Sequence, residues 1–277
     1  MNTPSPIGIF DSGVGGLSVL RAVRRQMPAQ PVIFLADQAH VPYGPRPMEE
    51  VRNFSEAITR FLLEQGAGII VVACNTASAA ALYHLRGLFA HVPFVGMEPA
   101  VKPAAETTRS GVVGVLATPA TFQGALYASV VERFAGGVTV LQDTCPGLVG
   151  RIEAGDLEGP ETRAILERAL TPMLEKGIDT VVLGCTHYPF VIPLIEQIAG
   201  PGVRVIDPAP AVARQTGRLL EKHGLLAAGE TPAPMRFLTS DSPLDLQAML
   251  QRMGWGDFPV EPVAWKGNRV RQPGLAT

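Results

Sequence analysis

The chain has 277 residues, of which 47% are hydrophobic, and a formal net charge of -2 at pH 7. This length suits one large or two medium-sized domains with a proper core. The charge excludes the basic excess that a broad nucleic-acid-binding surface requires, and no apolar stretch approaches the roughly 18 to 20 residues of a membrane helix. Three cysteines, odd in number and far apart, do not fit a disulfide framework and indicate reduced thiols in a cytoplasm.

Strand and helix signals alternate along the chain. Short β-branched runs are typical of buried parallel strands. The predicted strands are Ile7–Phe10, Val32–Ala36, Ile69–Ala73, Phe94–Met97, Val112–Leu116, Val138–Leu141, Thr180–Gly184 and Val203–Ile206. Helical periodicity predicts helices that include Met48–Leu63, Thr121–Phe134, Glu161–Glu175 and Ala211–Lys222. This alternation predicts an α/β fold with mostly parallel sheets.

Two of the apolar runs end in a cysteine. Cys74 follows Ile69–Ala73, and Cys185 follows Thr180–Gly184. Each thiol is expected where a strand is followed by a helix, a position at which open α/β sheets bind ligands and where the helix dipole favours a thiolate. Two thiols in matching settings indicate a chemistry that uses one group twice, on opposite sides of a substrate. A buried cysteine that acts as a small hydrophobe is the alternative, and we adopt it for Cys145.

The two halves of the chain open in a similar way, with a strand and then a polar turn. This pattern predicts two pseudo-symmetric doubly wound domains with the active site in the cleft between them. Residues 1–98 plus 208–277 are predicted to form the first domain, which carries the first of the two cysteines. Residues 99–207 are predicted to form the second domain. The stretch Lys266–Thr277 has no apolar period and is predicted to be a frayed terminus.

A glycine-rich turn follows the first predicted strand. A dinucleotide fingerprint would need a glycine where Ser18 stands, and the chain has no Gly-Lys-Ser/Thr phosphate loop, so a nucleotide-dependent enzyme is disfavoured. The turn instead predicts a close approach of the backbone to a small anionic ligand, with Asp11 and Ser12 supplying side chains. A helix cap is the alternative role for Asp11.

Two further features are candidates for a site. The proline-rich loop around Tyr43 and Gly44 is either scaffolding or a rigid backbone that clamps a carboxylate. His187, two residues after Cys185, is either a proton-transfer assistant, since imidazole titrates near neutrality, or a satisfied core histidine. No histidine spacing and no Cys-x-x-Cys or His-Glu-x-x-His motif indicates a metal, so none is predicted.

Several segments, in a fixed order, carry a family resemblance. They are Phe10–Leu17, Pro42–Gly44, Ala73–Ala79, Gly114–Thr121, Leu183–Pro189 and Ile206–Ala209. Together they resemble the bacterial glutamate racemases of the cofactor-independent aspartate/glutamate racemase superfamily. The stretch after about Trp255 carries no resemblance.

The resemblance implies interconversion of L- and D-glutamate without pyridoxal phosphate, metal or other cofactor, as a supply of D-glutamate for peptidoglycan, and it implies a homodimer. It assigns proton transfer on the D-enantiomer to Cys74 and on the L-enantiomer to Cys185, supported by Asp11 and His187 respectively. The residues implied to bind the amino acid are Asp11, Ser12, Tyr43, Gly44, Asn75, Thr76, Thr118, Thr121, Thr186 and His187.

Racemisation at an α-carbon needs a base on one face and an acid on the other, and a pair of similar groups satisfies this need in both directions. Two rival interpretations stay open. The first is racemisation of aspartate, which is disfavoured because related aspartate enzymes tend to carry Glu where His187 stands. The second is a redox or ligand-sensing binding module in which the two thiols form a switchable disulfide.

Overall fold

The computed structural model describes residues 4–273. These residues form two compact units. The first unit contains the residues up to Met97 together with those from Ala209 onward, and the second contains Glu98–Pro208. Among the described residues, none of the helices combines the length and the apolar character that a membrane crossing requires.

The strands and helices are numbered in chain order. The strands are β1 (Ile7–Asp11), β2 (Val32–Ala36), β3 (Ile69–Val72), β4 (Phe94–Gly96), β5 (Val112–Ala117), β6 (Thr139–Asp143), β7 (Thr180–Gly184), β8 (Arg204–Ile206), β9 (Met235–Thr239), β10 (Val260–Pro262), β11 (Ala264–Lys266) and β12 (Arg269–Arg271). The helices are α1 (Leu17–Gln26), α2 (Met48–Glu64), α3 (Asn75–Leu88), α4 (Val101–Thr107), α5 (Pro119–Gln123), α6 (Ala125–Phe134), α7 (Leu148–Glu153), α8 (Pro160–Glu175), α9 (Ile192–Ala199), α10 (Ala209–Lys222) and α11 (Pro243–Arg252). Short 3-10 segments lie at Gln38–His40 and Tyr188–Val191.

Each unit is built on a parallel sheet. The sheet of the first unit has the order β10-β9-β2-β1-β3-β4, and that of the second has the order β6-β5-β7-β8. All neighbouring strands in both sheets run parallel. Every residue of β1, β2, β3 and β7 is buried, which is the burial expected when both faces of a sheet are covered. The predicted α/β class with mostly parallel sheets is therefore confirmed.

The strand order supports the predicted pseudo-symmetry. In the first unit β2-β1-β3-β4 follows the same order as β6-β5-β7-β8 in the second, because the first strand of each set pairs with the second and the third. Strands β3 and β7 therefore occupy equivalent places. Cys74 and Cys185, which come just after these strands, lie at equivalent topological positions.

The predicted helix Thr121–Phe134 is wrong in its continuity. The structure has two helices instead, α5 and α6, separated at Gly124, whose φ of -72° and ψ of 138° are extended. The first helix also starts earlier than predicted, with Thr118 as its N-cap and Pro119 as its first residue. Proline favours the first turn of a helix, so this start has a local cause.

The predicted frayed terminus is wrong for Lys266–Arg271. Strands β11 and β12 form an antiparallel hairpin, with Trp265 opposite Val270, and Gly267 adopts a φ of 58° in its turn. Val270 is buried in the core of the first unit. The Gly-Asn pair in this turn is a hairpin signal that the sequence interpretation overlooked. Residues 274–277 of the predicted terminus lie outside the described residues.

Candidate active site

Asp11 ends β1 and is fully buried at the glycine-rich turn. Its Oδ2 accepts a hydrogen bond of 2.8 Å from the backbone N–H of Gly16, the residue that precedes α1. A Cβ on Gly16 would come within 2.7 Å of the Cβ of Asp11, so only glycine allows this approach. The carboxylate thus binds the N–H of Gly16, which is itself the N-cap residue of α1, and among the described residues this helix has no side-chain cap hydrogen bond. Asp11 is therefore not the N-cap residue of this helix.

Cys74 is the N-cap residue of α3. Its backbone is extended, with φ -140° and ψ 123°, and its Sγ accepts the N–H of Ala77 at 3.4 Å. The side chain is buried, with 5% exposure. The sulfur therefore lies where the sequence predicts, at the positive end of a helix, and this environment favours the thiolate form.

Asn75 and Thr76 begin α3 and are both buried. Among the described residues, neither the side-chain oxygen nor the side-chain nitrogen of Asn75 has a hydrogen-bond partner, although the residue is only 3% exposed. A buried amide without partners is costly, and such groups commonly serve a bound molecule. Ser12, buried after β1, adds a hydroxyl at the same edge of the sheet.

Tyr43 is buried in the loop that follows β2, and its hydroxyl donates a hydrogen bond of 2.6 Å to Oδ2 of Asp37. Burial raises the pKa of Tyr43 well above its usual value, and the negative charges of Asp37, Cys74 and Asp11 raise it further. The phenol therefore stays protonated and bound to Asp37. The backbone of Tyr43 and Gly44 is buried next to this hydrogen bond. Asp37 is a residue that the sequence interpretation missed.

In the second unit, Cys185 follows β7 and has a side-chain partner. Its Sγ lies 3.7 Å from Nδ1 of His187, and Nε2 of His187 lies 2.5 Å from Oε1 of Glu153. Cys185 and His187 are 6% and 2% exposed, respectively. The three side chains form a row of thiol, imidazole and carboxylate.

The charge on this row follows from its contacts. Burial by itself lowers the pKa of His187, but hydrogen bonds to Cys185 and Glu153 and their negative charges outweigh it and raise the pKa well above its usual value. A protonated imidazole next to a thiol stabilises the thiolate. His187 therefore contacts Cys185 through one ring nitrogen and Glu153 through the other, and its role as a proton-transfer assistant stays a prediction.

Glu153 is the second residue that the sequence interpretation missed. It ends α7, 34 residues before His187 in the chain. Its neighbours in sequence carry no catalytic motif, so only the packing of α7 beside the segment after β7 could reveal it.

The structural setting of Cys185 differs from that of Cys74. A turn and the 3-10 segment Tyr188–Val191 come before α9, with prolines near both starts. Proline has no backbone N–H to offer. The sulfur of Cys185 thus contacts an imidazole where the sulfur of Cys74 contacts a backbone N–H.

Two threonines lie after β5, the neighbour of β7. Thr118 caps α5, and its Oγ1 lies 2.9 Å from Oγ1 of Thr121. Both are buried, as is Thr186, which comes directly after Cys185. The parallel strands β5 and β7 are neighbours, and their carboxyl ends meet at one edge of the sheet. The hydroxyl groups of these three threonines therefore lie at the same edge as Cys185.

The third cysteine has a different environment. Cys145 packs in the apolar core of the second unit, and burial, followed by the charge of Asp143, raises the pKa of its thiol. It stays a protonated thiol in the core, as expected from the sequence. In residues 4–273, no group of three or more His, Cys, Asp or Glu side chains is arranged to hold a metal ion.

Comparison with known proteins identifies the family. The Asp/Glu/Hydantoin racemase family model matches residues 7–216. A glutamate racemase of Pseudomonas paraeruginosa is 54% identical over 252 residues, which cover 91% of this chain and 94% of that protein. The structure of glutamate racemase isoform RacE1 from Bacillus anthracis has a TM-score of 0.85 at 31% identity, covering 97% of this chain and 100% of that one. An Escherichia coli glutamate racemase, solved with L-glutamate and the activator UDP-MurNAc-ala, has a TM-score of 0.83 at 34% identity, covering 95% and 100%. This chain therefore belongs to the Asp/Glu/Hydantoin racemase family and is an isomerase of the amino-acid racemase class.

Proposed function

We propose that the enzyme interconverts L- and D-glutamate by proton transfer at the α-carbon, with Cys74 and Cys185 as the two acid–base groups. The observation that carries this proposal is the pair of buried thiols after the equivalent strands β3 and β7, each with its own charge-stabilising contact. The choice of glutamate is supported by the relatives, which are glutamate racemases, and by the Escherichia coli enzyme, which was solved with L-glutamate.

The reaction runs in two proton transfers. From L-glutamate, the thiolate of Cys185 takes the α-proton and becomes a thiol, which leaves a carbanion-like centre. The thiol of Cys74 then gives its proton to the opposite face, which yields D-glutamate and a Cys74 thiolate. The reverse reaction exchanges the two roles, so each direction needs one thiolate and one thiol.

His187 and Asp11 are proposed to support the two thiols. The imidazolium of His187, held by Glu153, is proposed as the positively charged partner of Cys185 during proton transfer. Asp11 ends β1, which pairs with β3, and the N–H of Ala73 donates to the carbonyl of Phe10 at 2.8 Å, so Asp11 and Cys74 lie at adjacent strand ends. A negative charge there opposes the effect of the helix end on Cys74, which keeps the thiol form available for donating a proton to the substrate.

The carbanion-like state and the two carboxylates of glutamate need fixed hydrogen-bond donors in a dry environment. Buried polar groups at the two sheet edges meet this need, and the amide of Asn75 is the clearest case because it has no other partner among the described residues. The proposed donors are Ser12, the Tyr43–Gly44 backbone, Asn75, Thr76, Thr118, Thr121 and Thr186.

The decisive experiment uses heavy water. The enzyme is incubated with L- or D-glutamate without added cofactor, and the α-proton is followed by NMR together with the optical rotation. We expect exchange with inversion in the wild type and a loss of about 10²- to 10⁴-fold in Cys74→Ala and Cys185→Ala, the usual contribution of a general acid or base.

Cys145→Ala is the matched control, since this thiol lies in the core and is expected to leave inversion intact. Inversion at a wild-type rate in either of the other cysteine variants contradicts the two-base mechanism. Turnover of L-aspartate faster than L-glutamate contradicts the choice of substrate. Ligand binding without turnover, with reversible oxidation of the two thiols, favours the binding-module interpretation.

We also infer that the D-glutamate serves peptidoglycan synthesis, an inference supported by the cell-wall precursor UDP-MurNAc-ala bound as an activator to the Escherichia coli relative. All three cysteines are free thiols, which a reducing cytoplasm maintains, and we place the enzyme there. The homodimer stays a prediction, which sedimentation analysis of the purified enzyme tests.

A further inference from the structure

The carboxylate of Asp37, just after β2, accepts hydrogen bonds from several groups that the proposed proton transfer does not involve. Its side chain is fully buried. Oδ2 accepts from the hydroxyl of Tyr43 at 2.6 Å and lies 2.9 Å from Nδ1 of His40. Oδ1 accepts from the hydroxyl of Ser240 at 2.6 Å and from Nε1 of Trp265 at 2.8 Å. These donors come from separate segments of the first unit, so one carboxylate ties them together.

Trp265 brings the C-terminal hairpin into this group. It lies on β11, beyond the residues 7–216 that the family model matches. Its ring meets His40 edge-on, with centroids 4.9 Å apart, and meets Phe54 at 5.3 Å. His40 in turn stacks on Phe54 at 4.0 Å. The ring of Trp265 packs against the loop, and its N–H is bound to the carboxylate of Asp37.

Tyr43 donates its hydroxyl hydrogen bond to Oδ2 of Asp37 and is part of the proposed substrate site. Oδ1 of Asp37 accepts from Trp265 and Ser240, Oδ2 accepts from Tyr43, and Nδ1 of His40 lies 3.1 Å from Oδ1 and 2.9 Å from Oδ2. Loss of the Trp265 donor weakens the hold on Oδ1 and lets the carboxylate rotate more readily about its terminal torsion, which is a broad one. Such a rotation also moves Oδ2 and, with it, the acceptor that holds Tyr43 and the adjacent Gly44 backbone.

We propose that Trp265 is a positioning residue, which holds the Tyr43–Gly44 loop in its substrate-binding position through Asp37. The inference rests on the proposed function, since it assigns the C-terminal hairpin a part in binding glutamate. Because the Tyr43–Gly44 loop is proposed to bind both enantiomers, the loss of Trp265 is expected to affect the binding of both.

The chain offers a matched control in its only other tryptophan. Trp255 also lies in the first unit, where its ring contacts Phe237 and Arg21. Its Nε1 is buried and has no hydrogen-bond partner among the described residues. Trp255→Phe therefore removes an N–H that binds nothing, whereas Trp265→Phe removes one that binds a buried carboxylate and keeps an aromatic ring.

Steady-state kinetics in both directions test the proposal. Trp265→Phe is expected to raise KM about three- to tenfold for L- and for D-glutamate, the range that a lost hydrogen bond implies. The value of kcat is expected to stay within about twofold, because uniform binding affects KM alone. Trp255→Phe is expected to keep both constants. A merely structural role for Trp265 would lower the active fraction, and so kcat, without raising KM.

Fluorescence provides a readout that does not depend on turnover. In Trp255→Phe, Trp265 is the only indole, and its emission is expected to change as glutamate saturates the enzyme. In Trp265→Phe, the emission of the remaining Trp255 is expected to stay unchanged as glutamate saturates the enzyme. If Trp265→Phe folds poorly, Ser240→Ala removes the other donor to the same oxygen and is expected to raise KM in the same direction.

The outcomes separate the two proposals. A wild-type enzyme that turns over glutamate, with unchanged KM in Trp265→Phe and Ser240→Ala, overturns the positioning role alone. The same conclusion follows if the emission of Trp265 does not respond to saturating glutamate. A wild-type enzyme that neither binds nor racemises glutamate overturns the proposed function, and this inference with it.

Discussion

The sulfur of Cys74 accepts a backbone N–H from Ala77, whereas the sulfur of Cys185 lies beside the imidazole of His187. Both thiols follow equivalent strands in sheets of the same order. A backbone donor cannot titrate, but an imidazole can. Two topologically equivalent positions therefore carry the same reactive group, but only the contact at Cys185 can change with pH.

Each unit also has an acid that contacts a side chain of the proposed site. Asp37 comes directly after β2, whereas Glu153 ends α7, the helix that follows β6. Asp37 binds the hydroxyl of Tyr43, while Glu153 binds the imidazole of His187. Neither the position of the acid nor its partner is shared between the units, so the two supports can be perturbed separately.

His187→Asn removes the charge partner of Cys185, and we expect kcat/KM to fall about 10²- to 10³-fold. Because the enantiomers have equal free energy in water, the loss must be equal in both directions. The asymmetry appears in the α-deuterium isotope effect, which should increase when L-glutamate is the substrate. Asp11→Asn, which keeps an acceptor for Gly16, is the comparison and should change the effect mainly with D-glutamate. Equal isotope effects in the two variants contradict separate supports.

Glu153→Gln removes the carboxylate that helps to raise the pKa of His187. Because that pKa lies above its unfolded-state value of about 6.5, its stabilising contribution is complete below that pH and is lost as pH rises through the folded-state pKa. We expect the variant to lose about 1.5–3 kcal/mol of unfolding free energy near pH 6, the range for hydrogen bonds to charged groups, and less at alkaline pH. Denaturant titrations at several pH values measure this.

Glu158→Gln is the control for that experiment, since Glu158 is exposed in the same unit. Its unfolding free energy should follow that of the wild type at every pH. A constant deficit in Glu153→Gln from pH 6 to alkaline pH would exclude His187 as the titrating partner.

Asn75→Leu has the smallest expected effect on stability, and the opposite sign. It replaces a buried amide without protein partners by an apolar group of similar size, so we expect a gain of about 1–3 kcal/mol in unfolding free energy, together with a loss of turnover. Asn53→Leu, at an exposed position of α2, should change neither. A destabilised Asn75→Leu would mean that the amide has no cost in the folded enzyme.

Local patterns in the sequence were enough for much of the fold. Runs such as Val32–Ala36 and Thr180–Gly184 match β2 and β7 residue for residue, because buried parallel strands are short and β-branched. Cys74 and Cys185 could be singled out because each directly follows a predicted strand, and the carboxyl ends of neighbouring parallel strands meet at one edge of a sheet. Local patterns failed at Gly124, where an extended glycine interrupts a helical period, and in the C-terminal hairpin, where a Gly-Asn turn was overlooked.

The α/β class, most of the parallel strands and the two thiols at strand ends can be predicted from the sequence, because they depend on neighbours within a few residues. The groups that contact those thiols and the proposed substrate loop are set by packing between distant segments. Glu153 reaches His187 across 34 residues, and Trp265 reaches Asp37 across 228. A buried carboxylate takes the donors that packing brings to it, and no local pattern encodes which donors those are.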